Sequence, residues 1–350
     1  MNLFDELSQR EVRLRNRIVV SPMCQYSATD GVPNAWHLVH LGSRAVGGAG
    51  LVFTEAAAIS PAGRISAGDV GLWNDAQVAA WRPIVAFIAE HGAVPGVQLA
   101  HAGRKASVRR PWEGGGPMRL GAWPTLAPSA LAYDIGYAAP STLDADGIRR
   151  VIDEFRAAAA RALAAGFRVL ELHAAHGYLL HQFLSPLSNR RDDAWGGDFD
   201  GRTRLTREVI TAVREVWPQQ LPLWLRISAT DWAAEGWEIE QSVRLATQVK
   251  TLGVDLVDVS SGGLVPHAVI PVAPGYQVPF AERIRREAGV ATGAVGLIDS
   301  PQQAQAIIAD GRADVVLVAR ESLRDPYFPR RAARELGAPI TPPEPYQRAW

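Results

Sequence analysis

Cysteine is almost absent from this chain: Cys24 is the single one among 350 residues. No intrachain disulfide can form, and a structural zinc site of four cysteines is excluded. An excess of charge is also missing. The 36 lysines and arginines face 36 aspartates and glutamates, for a formal net charge of +0. That balance gives no electrostatic reason for binding nucleic acid or an anionic membrane. No apolar run reaches the ~18 residues that a membrane-spanning helix requires. The opening residues 1–16 are charged and lack the apolar stretch of a secretory signal, so the expected location is the cytoplasm.

What the chain does have is alternation. Short β-branched runs recur at residues 17–22, 50–56, 94–100, 168–173, 222–228, 254–260, 290–296 and 313–319, with longer segments between them. Several runs are continuously apolar, such as Leu51-Val52-Phe53 and Val315-Val316-Leu317-Val318. Strands buried on both faces of a parallel sheet read this way. Between them, Ile148, Val151, Ile152, Phe155 and Ala159 recur at spacings of three and four, which predicts a helix within 144–165. Ser300-Pro301 is a helix start, a hydroxyl cap before a first-turn proline. Gly92, Gly166, Gly253, Gly289 and Gly311 mark the step from helix to next strand.

Eight strand–helix alternations without a composition break predict the α/β class and a closed (β/α)₈ barrel, the TIM barrel, as one domain over residues 1–350. The competing fold is an open doubly wound sheet, which favours a glycine fingerprint after an early strand. Gly47-Gly48-Ala49-Gly50 precedes its strand instead. One stretch breaks the alternation: residues 103–143 are long and rich in glycine, proline and tryptophan. Following the third strand, it lies over the face where barrels keep their active sites, as a substrate lid or a plain cover.

The strand ends supply a polar set. The first ends Ser21-Pro22-Met23-Cys24-Gln25-Tyr26, the second Thr54-Glu55-Ala56, and the third runs from Gln98 through His101 to Arg104 and Lys105. The fourth runs from Glu171 through His173 and His176 to Tyr178. His173 and His176 could join Glu171 as metal ligands, or act as paired donors to a carbonyl oxygen with Tyr178 as the acid. A phenol, with its pKa near 10, stays protonated at neutral pH. Arg226 is a cation on an apolar strand, either paired with a core carboxylate or facing an anionic ligand or electron-rich ring. The last two strand ends place Gly296 and Ala319 beside Arg320, where barrels bind phosphate. Cys24 is a small buried hydrophobe or an active-site thiol; without a local base, tuning is favoured over covalent catalysis.

These segments, with residues 40–50, 183–189, 192–197 and the terminal Arg348-Ala349-Trp350, resemble the Old Yellow Enzyme family, in order and along essentially the whole chain. The resemblance is to its thermophilic-like, xenobiotic reductase branch. It implies a barrel that holds FMN without a covalent bond and takes NADPH, or NADH, as reductant. By the same resemblance Ser21, Pro22, Met23, Cys24, Ala56 and Gln98 line the flavin. Arg226 faces its N1/O2 edge, and Gly296, Ala319 and Arg320 hold its phosphate. His173 and His176 bind the substrate carbonyl, Tyr178 donates the proton, Tyr26 adds a substrate contact, and Cys24 tunes the potential. Lys105 lies near the site in a role the resemblance does not specify. In the relatives a C-terminal arginine and tryptophan enter a neighbouring subunit's site. That implies a homodimer or homotetramer in which the segment 336–350 supplies Arg348 to the cofactor and Trp350 to the substrate in trans.

The sequence departs from a Bacillus member of the branch at Ala319, where that relative has glycine, and in a longer 103–143 loop. The implied reaction is reduction of the C=C bond of an enone-type small molecule, or of nitro and other xenobiotic compounds. No metal is expected. Alternatives are an FMN-dependent amine dehydrogenase or demethylase and, more distantly, a metal-dependent barrel hydrolase.

Overall fold

A computed structural model describes residues 1–349, so Trp350 lies outside the described residues. Eight parallel strands close into a barrel in which neighbours in the ring are neighbours in the chain. They are β1 (Ile18–Val20), β2 (Leu51–Ala58), β3 (Val94–Ala100), β4 (Val169–Ala174), β5 (Leu223–Ser228), β6 (Leu256–Ser260), β7 (Ala291–Ala294) and β8 (Val315–Val318). Val316, Leu317 and Val318 pair with Ile18, Val19 and Val20, which closes the ring. Each run anticipated from composition becomes one barrel strand, and the doubly wound alternative is set aside.

The helices α1 (Ala35–Val46), α2 (Asp75–Glu90), α3 (Ala145–Ala165), α4 (Phe199–Val216), α5 (Ile239–Thr251), α6 (Val278–Ala288), α7 (Pro301–Ala309) and α8 (Phe328–Leu336) follow the strands in turn. Their starts are chemically marked. Ser300 caps α7, its hydroxyl accepting from the Gln303 amide at 3.2 Å. Asn74 and Gln77 form a reciprocal capping box on α2. In α3, Ile148, Val151, Phe155 and Ala159 are buried, so the predicted stripe is the core face. Gly166 ends α3 with φ 98, a left-handed conformation open to glycine at no steric cost.

Strand boundaries differ where chemistry interrupts pairing. β1 stops at Val20 because Pro22 has no N–H to give a ladder. β2 runs on to Ala58 through a register shift between Phe53 and Ala56, which releases Thr54 and Glu55 from the ladder. Inside the barrel, Phe53 meets Trp224 edge-on at 5.3 Å between centroids. A Cβ on Gly96 would come within 2.7 Å of the Phe53 ring, so that glycine makes room for it.

An antiparallel hairpin, Leu7–Gln9 with Val12–Leu14, was not legible in the sequence. It packs at the N-terminal end of the barrel strands, where Trp224 Nε1 donates to Gln9 Oε1 at 2.7 Å. At the other end, residues 103–143 carry two-residue strands, Leu126–Ala127 and Ser141–Thr142, paired in parallel. Arg104 ties this stretch down by donating to the carbonyls of Leu131 at 3.3 Å and Leu264 at 2.9 Å. Among the described residues, no helix is long and apolar enough to cross a membrane.

Candidate active site

The site forms where the strands end. Ser21 extends β1 by donating its amide to Val318 O at 3.1 Å. Its hydroxyl accepts from Arg226 Nη1 at 3.1 Å. Pro22, Met23, Cys24 and Tyr26 then cross the mouth, all half-buried. Glu55, freed by the bulge in β2, fixes this turn by accepting from the Gln25 amide at 2.9 Å. Its other oxygen lies 3.2 Å from His37 Nε2, with both side chains 1% exposed. Burial, and next the charges of Asp69 and Glu55, push the Cys24 thiol well up. A neutral thiol in hydrogen-bond contact with Tyr26 is not an activated nucleophile.

The strand register sets the next group. Ala56 stands beside Gln98 across β2 and β3, and Gln98 beside Glu171 across β3 and β4. Gln98 Nε2 donates to Glu171 Oε1 at 2.7 Å. Arg226 pairs with Asp258, Nε to Oδ2 at 3.1 Å, so the core-carboxylate partner weighed for this arginine is present. Burial and the nearby Asp258 push the Glu171 carboxyl well up. Burial raises Asp258 to about 6 against the pull of Arg226. Of the two carboxyls, Glu171 is the one pushed towards holding a proton, and Asp258 is the counter-ion of the arginine.

His173 lies in register with Arg226 across β4 and β5. Its Nδ1 accepts from the Ala175 amide at 3.3 Å, which places the imidazole proton on Nε2. That Nε2 is 3.4 Å from His176 Nδ1. Burial first, then the Arg226 charge, holds both imidazoles well below their ordinary pKa, so both are neutral. His176 has φ 57, an unusual backbone for a non-glycine residue. It is pinned on both sides: its amide donates to Ser228 Oγ at 2.9 Å and its carbonyl accepts from Lys105 Nζ at 2.9 Å. Lys105 also donates to Gly263 O at 2.9 Å, and burial lowers it to about 8.

Tyr178 precedes a short helix, Leu179–Leu184, and its ring centroid is 5.0 Å from that of His173. Burial holds its phenol well above the ordinary range. The ammonium of Lys105 sits 5.3 Å from the Tyr178 centroid and 4.6 Å from that of Tyr133, which comes from the 103–143 stretch.

Beyond β7 and β8 lies a cleft of about 390 Å³ lined by Tyr276, Gln277, Gly296, Ala319, Arg320 and Arg324. Gly296 has φ 121, and a Cβ there would come within 2.9 Å of Gln277 Nε2. Arg348 is exposed in a terminal turn, Glu344–Ala349.

The structure thus brings Ser21, Cys24, Tyr26, Ala56, Gln98, His173, His176, Tyr178 and Arg226 to one end of the barrel, with Gly296, Ala319 and Arg320 in the adjoining cleft. Arg348 is not among the residues lining that cleft. Sequence reasoning missed the His37–Glu55 brace and the Lys105 clamp. Glu55 and Lys105 were visible as strand-end residues, but their partners lie on other loops. Ser260 and Gln277 carried no sequence signal at all. The Glu171, His173 and His176 metal set is not formed: among the described residues, no group of three or more His, Cys, Asp or Glu side chains is placed to hold a metal ion.

Two neutral imidazoles, a phenol held protonated and a buried cation gathered at one barrel mouth are an arrangement able to serve a barrel oxidoreductase. The model of the NADH:flavin oxidoreductase / NADH oxidase family matches residues 2–338. An NADPH dehydrogenase of Listeria monocytogenes is 49% identical over 350 residues, covering 99% of each chain. Morphinone reductase in complex with tetrahydroNAD aligns at a TM-score of 0.80 and 28% identity, over 99% of this chain and 93% of that one. An old yellow enzyme homologue from Zymomonas mobilis aligns at 0.80 and 27% identity, over 98% and 94%. The chain belongs to the NADH:flavin oxidoreductase / NADH oxidase family, that of Old Yellow Enzyme, and is a nicotinamide-dependent flavin oxidoreductase.

Proposed function

We propose that this chain is an FMN-dependent ene-reductase that takes its electrons from NADPH, or NADH, and reduces the C=C bond of α,β-unsaturated carbonyl compounds, with nitro and other xenobiotic compounds as further substrates. One observation carries the reading: His173 Nε2 and His176 Nδ1 converge to 3.4 Å, with the Tyr178 ring 5.0 Å from that of His173. Two neutral imidazoles and a phenol therefore share one mouth.

The residues fit the cofactor. Gly296 leaves open a space that a Cβ would crowd, and Arg320 adds a cation beside it, as a phosphate requires. Arg226, a buried cation braced by Ser21 and Asp258, suits a ring edge that gains negative charge. Ser21, Pro22, Met23, Cys24, Ala56 and Gln98 would line the ring. The methyl of Ala319 is compatible with phosphate held by backbone amides. When bound, FMN supplies a hydride acceptor for the nicotinamide and a hydride donor for the alkene.

The chain's own residues do the rest. His173 and His176 hold the substrate's carbonyl oxygen, where negative charge grows as hydride reaches the β-carbon. Donors aimed at that charge stabilise the transition state more than the ground state. Each is worth about 2.7–4 kcal/mol. Tyr178, held protonated by burial, gives its proton to the α-carbon. Tyr26 contacts the substrate, and Cys24, neutral and half-buried, tunes the flavin without forming a bond to it. Residues 103–143 form a lid whose Tyr133 reaches the Lys105 ammonium. Arg348 and Trp350 act in trans in a homodimer or homotetramer, in the cytoplasm.

An anaerobic titration tests the reading. NADPH should bleach the visible flavin band of the purified holoenzyme, and 2-cyclohexenone should restore it. A band that NADPH bleaches and the enone leaves bleached would refute the ene-reductase assignment.

A further inference from the structure

Two neutral imidazoles help a developing oxyanion only if each turns an N–H toward it. His173 is settled: its Nδ1 accepts from the Ala175 amide at 3.3 Å, so Nε2 carries the proton. His176 is open to two tautomers with opposite consequences. With the proton on Nε2, its Nδ1 becomes an acceptor for His173 Nε2–H at 3.4 Å, and the two rings satisfy each other. With the proton on Nδ1, both N–H groups point into the same space and need a third atom, an acceptor, between them.

Ser260, the last residue of β6, decides between them. Its Oγ lies 2.7 Å from His176 Nε2. The same hydroxyl could donate to Gln277 Oε1, but that distance is 3.3 Å. Gln277 Oε1 already accepts from Ser261 Oγ at 2.6 Å, and its Nε2 donates to Val295 O at 3.1 Å. The 2.7 Å contact is a strong hydrogen bond in either direction. Were His176 the donor, the Ser260 hydroxyl would be left with Gln277 Oε1 at 3.3 Å, a weak bond to an oxygen shared with Ser261, and the two rings would meet at a weak 3.4 Å. The competition favours Ser260 giving its proton to His176. Ser260 is 5% exposed, so water does not readily replace it.

We propose that Ser260 is a positioning residue: its hydroxyl donates to His176 Nε2 and thereby keeps the catalytic proton on Nδ1, facing the carbonyl oxygen together with His173 Nε2–H. Ser261 assists by holding Gln277 Oε1 at 2.6 Å, which leaves Ser260 only a long contact to that oxygen. The backbone makes this arrangement possible. His176 at φ 57 is held by Ser228 and Lys105, so its ring reaches Ser260 on one edge and His173 on the other. The role in catalysis rests on the carbonyl-binding reading above; the tautomer itself does not.

The test uses holoenzyme labelled with ¹⁵N-histidine. Nitrogen shifts and one-bond couplings identify which nitrogen of His176 bears hydrogen, with His176→Asn supplying the assignment. Wild type should show Nδ1–H and a pyridine-like Nε2. Ser260→Ala should move His176 toward Nε2–H and lower kcat/KM for 2-cyclohexenone roughly tenfold, the population shift expected when one hydrogen bond of ordinary net strength is lost. Ser260→Thr, which keeps the hydroxyl, should restore both the tautomer and the rate, and flavin content reports that each variant folds. Nε2–H in wild type, or an unchanged tautomer in Ser260→Ala, would overturn the proposal. A shifted tautomer with unchanged enone turnover would instead refute the carbonyl-binding role of His176 and leave the positioning by Ser260 standing.

Discussion

Burial, followed by the charge of Arg226, keeps His173 and His176 unprotonated, and burial keeps Tyr178 protonated. The three groups therefore hold fixed protonation states across the neutral range, as the proposed function requires of imidazoles that donate hydrogen bonds and a phenol that transfers a proton. Tyr178→Phe should slow reoxidation of the reduced enzyme by an enone about a hundredfold, the usual scale for losing a general acid. Reoxidation by O₂, which does not need this donor, should change little. Stopped-flow absorbance with each oxidant checks this, and equal slowing of both would count against the role of Tyr178. At this scale the sequence was informative because strand ends announce themselves: Gln98, His173, Tyr178 and Arg226 all fall where a barrel mouth must lie. It was silent on Ser260 and on the His37–Glu55 brace, because a serine or a core histidine acquires meaning only from a partner far away in the chain. Ser260 lies 84 positions from His176.

At the scale of elements, the turn after β4 and the turn after β6 are packed backbone to backbone. Gly177 has φ 73, and a Cβ there would lie 2.2 Å from Gly263 O. Gly263, at φ 87, would in turn bring a Cβ within 2.8 Å of the His176 Cα. Lys105 bridges the two turns through the carbonyls of His176 and Gly263. Gly177→Ala should cost on the order of 2 kcal/mol of stability, from the strained φ and the backbone clash together. Thermal melting should show the loss. Enone turnover should fall further than flavin content, because His176 moves while the cleft beyond β7, proposed to hold the phosphate, does not. An alanine variant with unchanged melting and turnover would show that the two turns are not coupled. The strands were legible as elements because parallel, doubly buried strands are nearly continuous apolar runs, as β8 is. Their ends were less so: the bulge at Thr54 and Glu55 depends on pairing with β3, and the N-terminal hairpin is too short to show a pattern.

For the whole molecule, the buried ionisable groups oppose one another in acid. His173 and His176 are held well below 6.5, His101 is lowered to about 4 and His40 to about 3, each by burial first. Below the ordinary histidine pKa the unfolded chain binds these protons and the folded chain does not. Their contribution is complete above about pH 6.5 and is lost as pH falls from there. Asp69, raised to about 7, and Asp258, raised to about 6, act the other way: the folded state binds their protons more tightly, a contribution lost as pH rises through those values. Replacing His173 and His176 by asparagine removes only the first kind. The change in Tm between about pH 7 and about pH 5 should shift toward greater acid stability in that variant. An identical change in wild type and variant would mean that the two imidazoles take up protons in the fold as readily as in the unfolded chain. The closed barrel and its family were legible at this scale, since eight alternations and motifs spread along the chain all agree.

The proposed catalysis requires the two imidazoles to be the carbonyl's hydrogen-bond donors, and one variant addresses that directly. His173→Ala/His176→Ala holoenzyme, mixed anaerobically with NADPH and then with 2-cyclohexenone, should retain its flavin and still be bleached. The enone should then fail to restore the visible band. Reoxidation at the wild-type rate in that double variant would contradict the central claim.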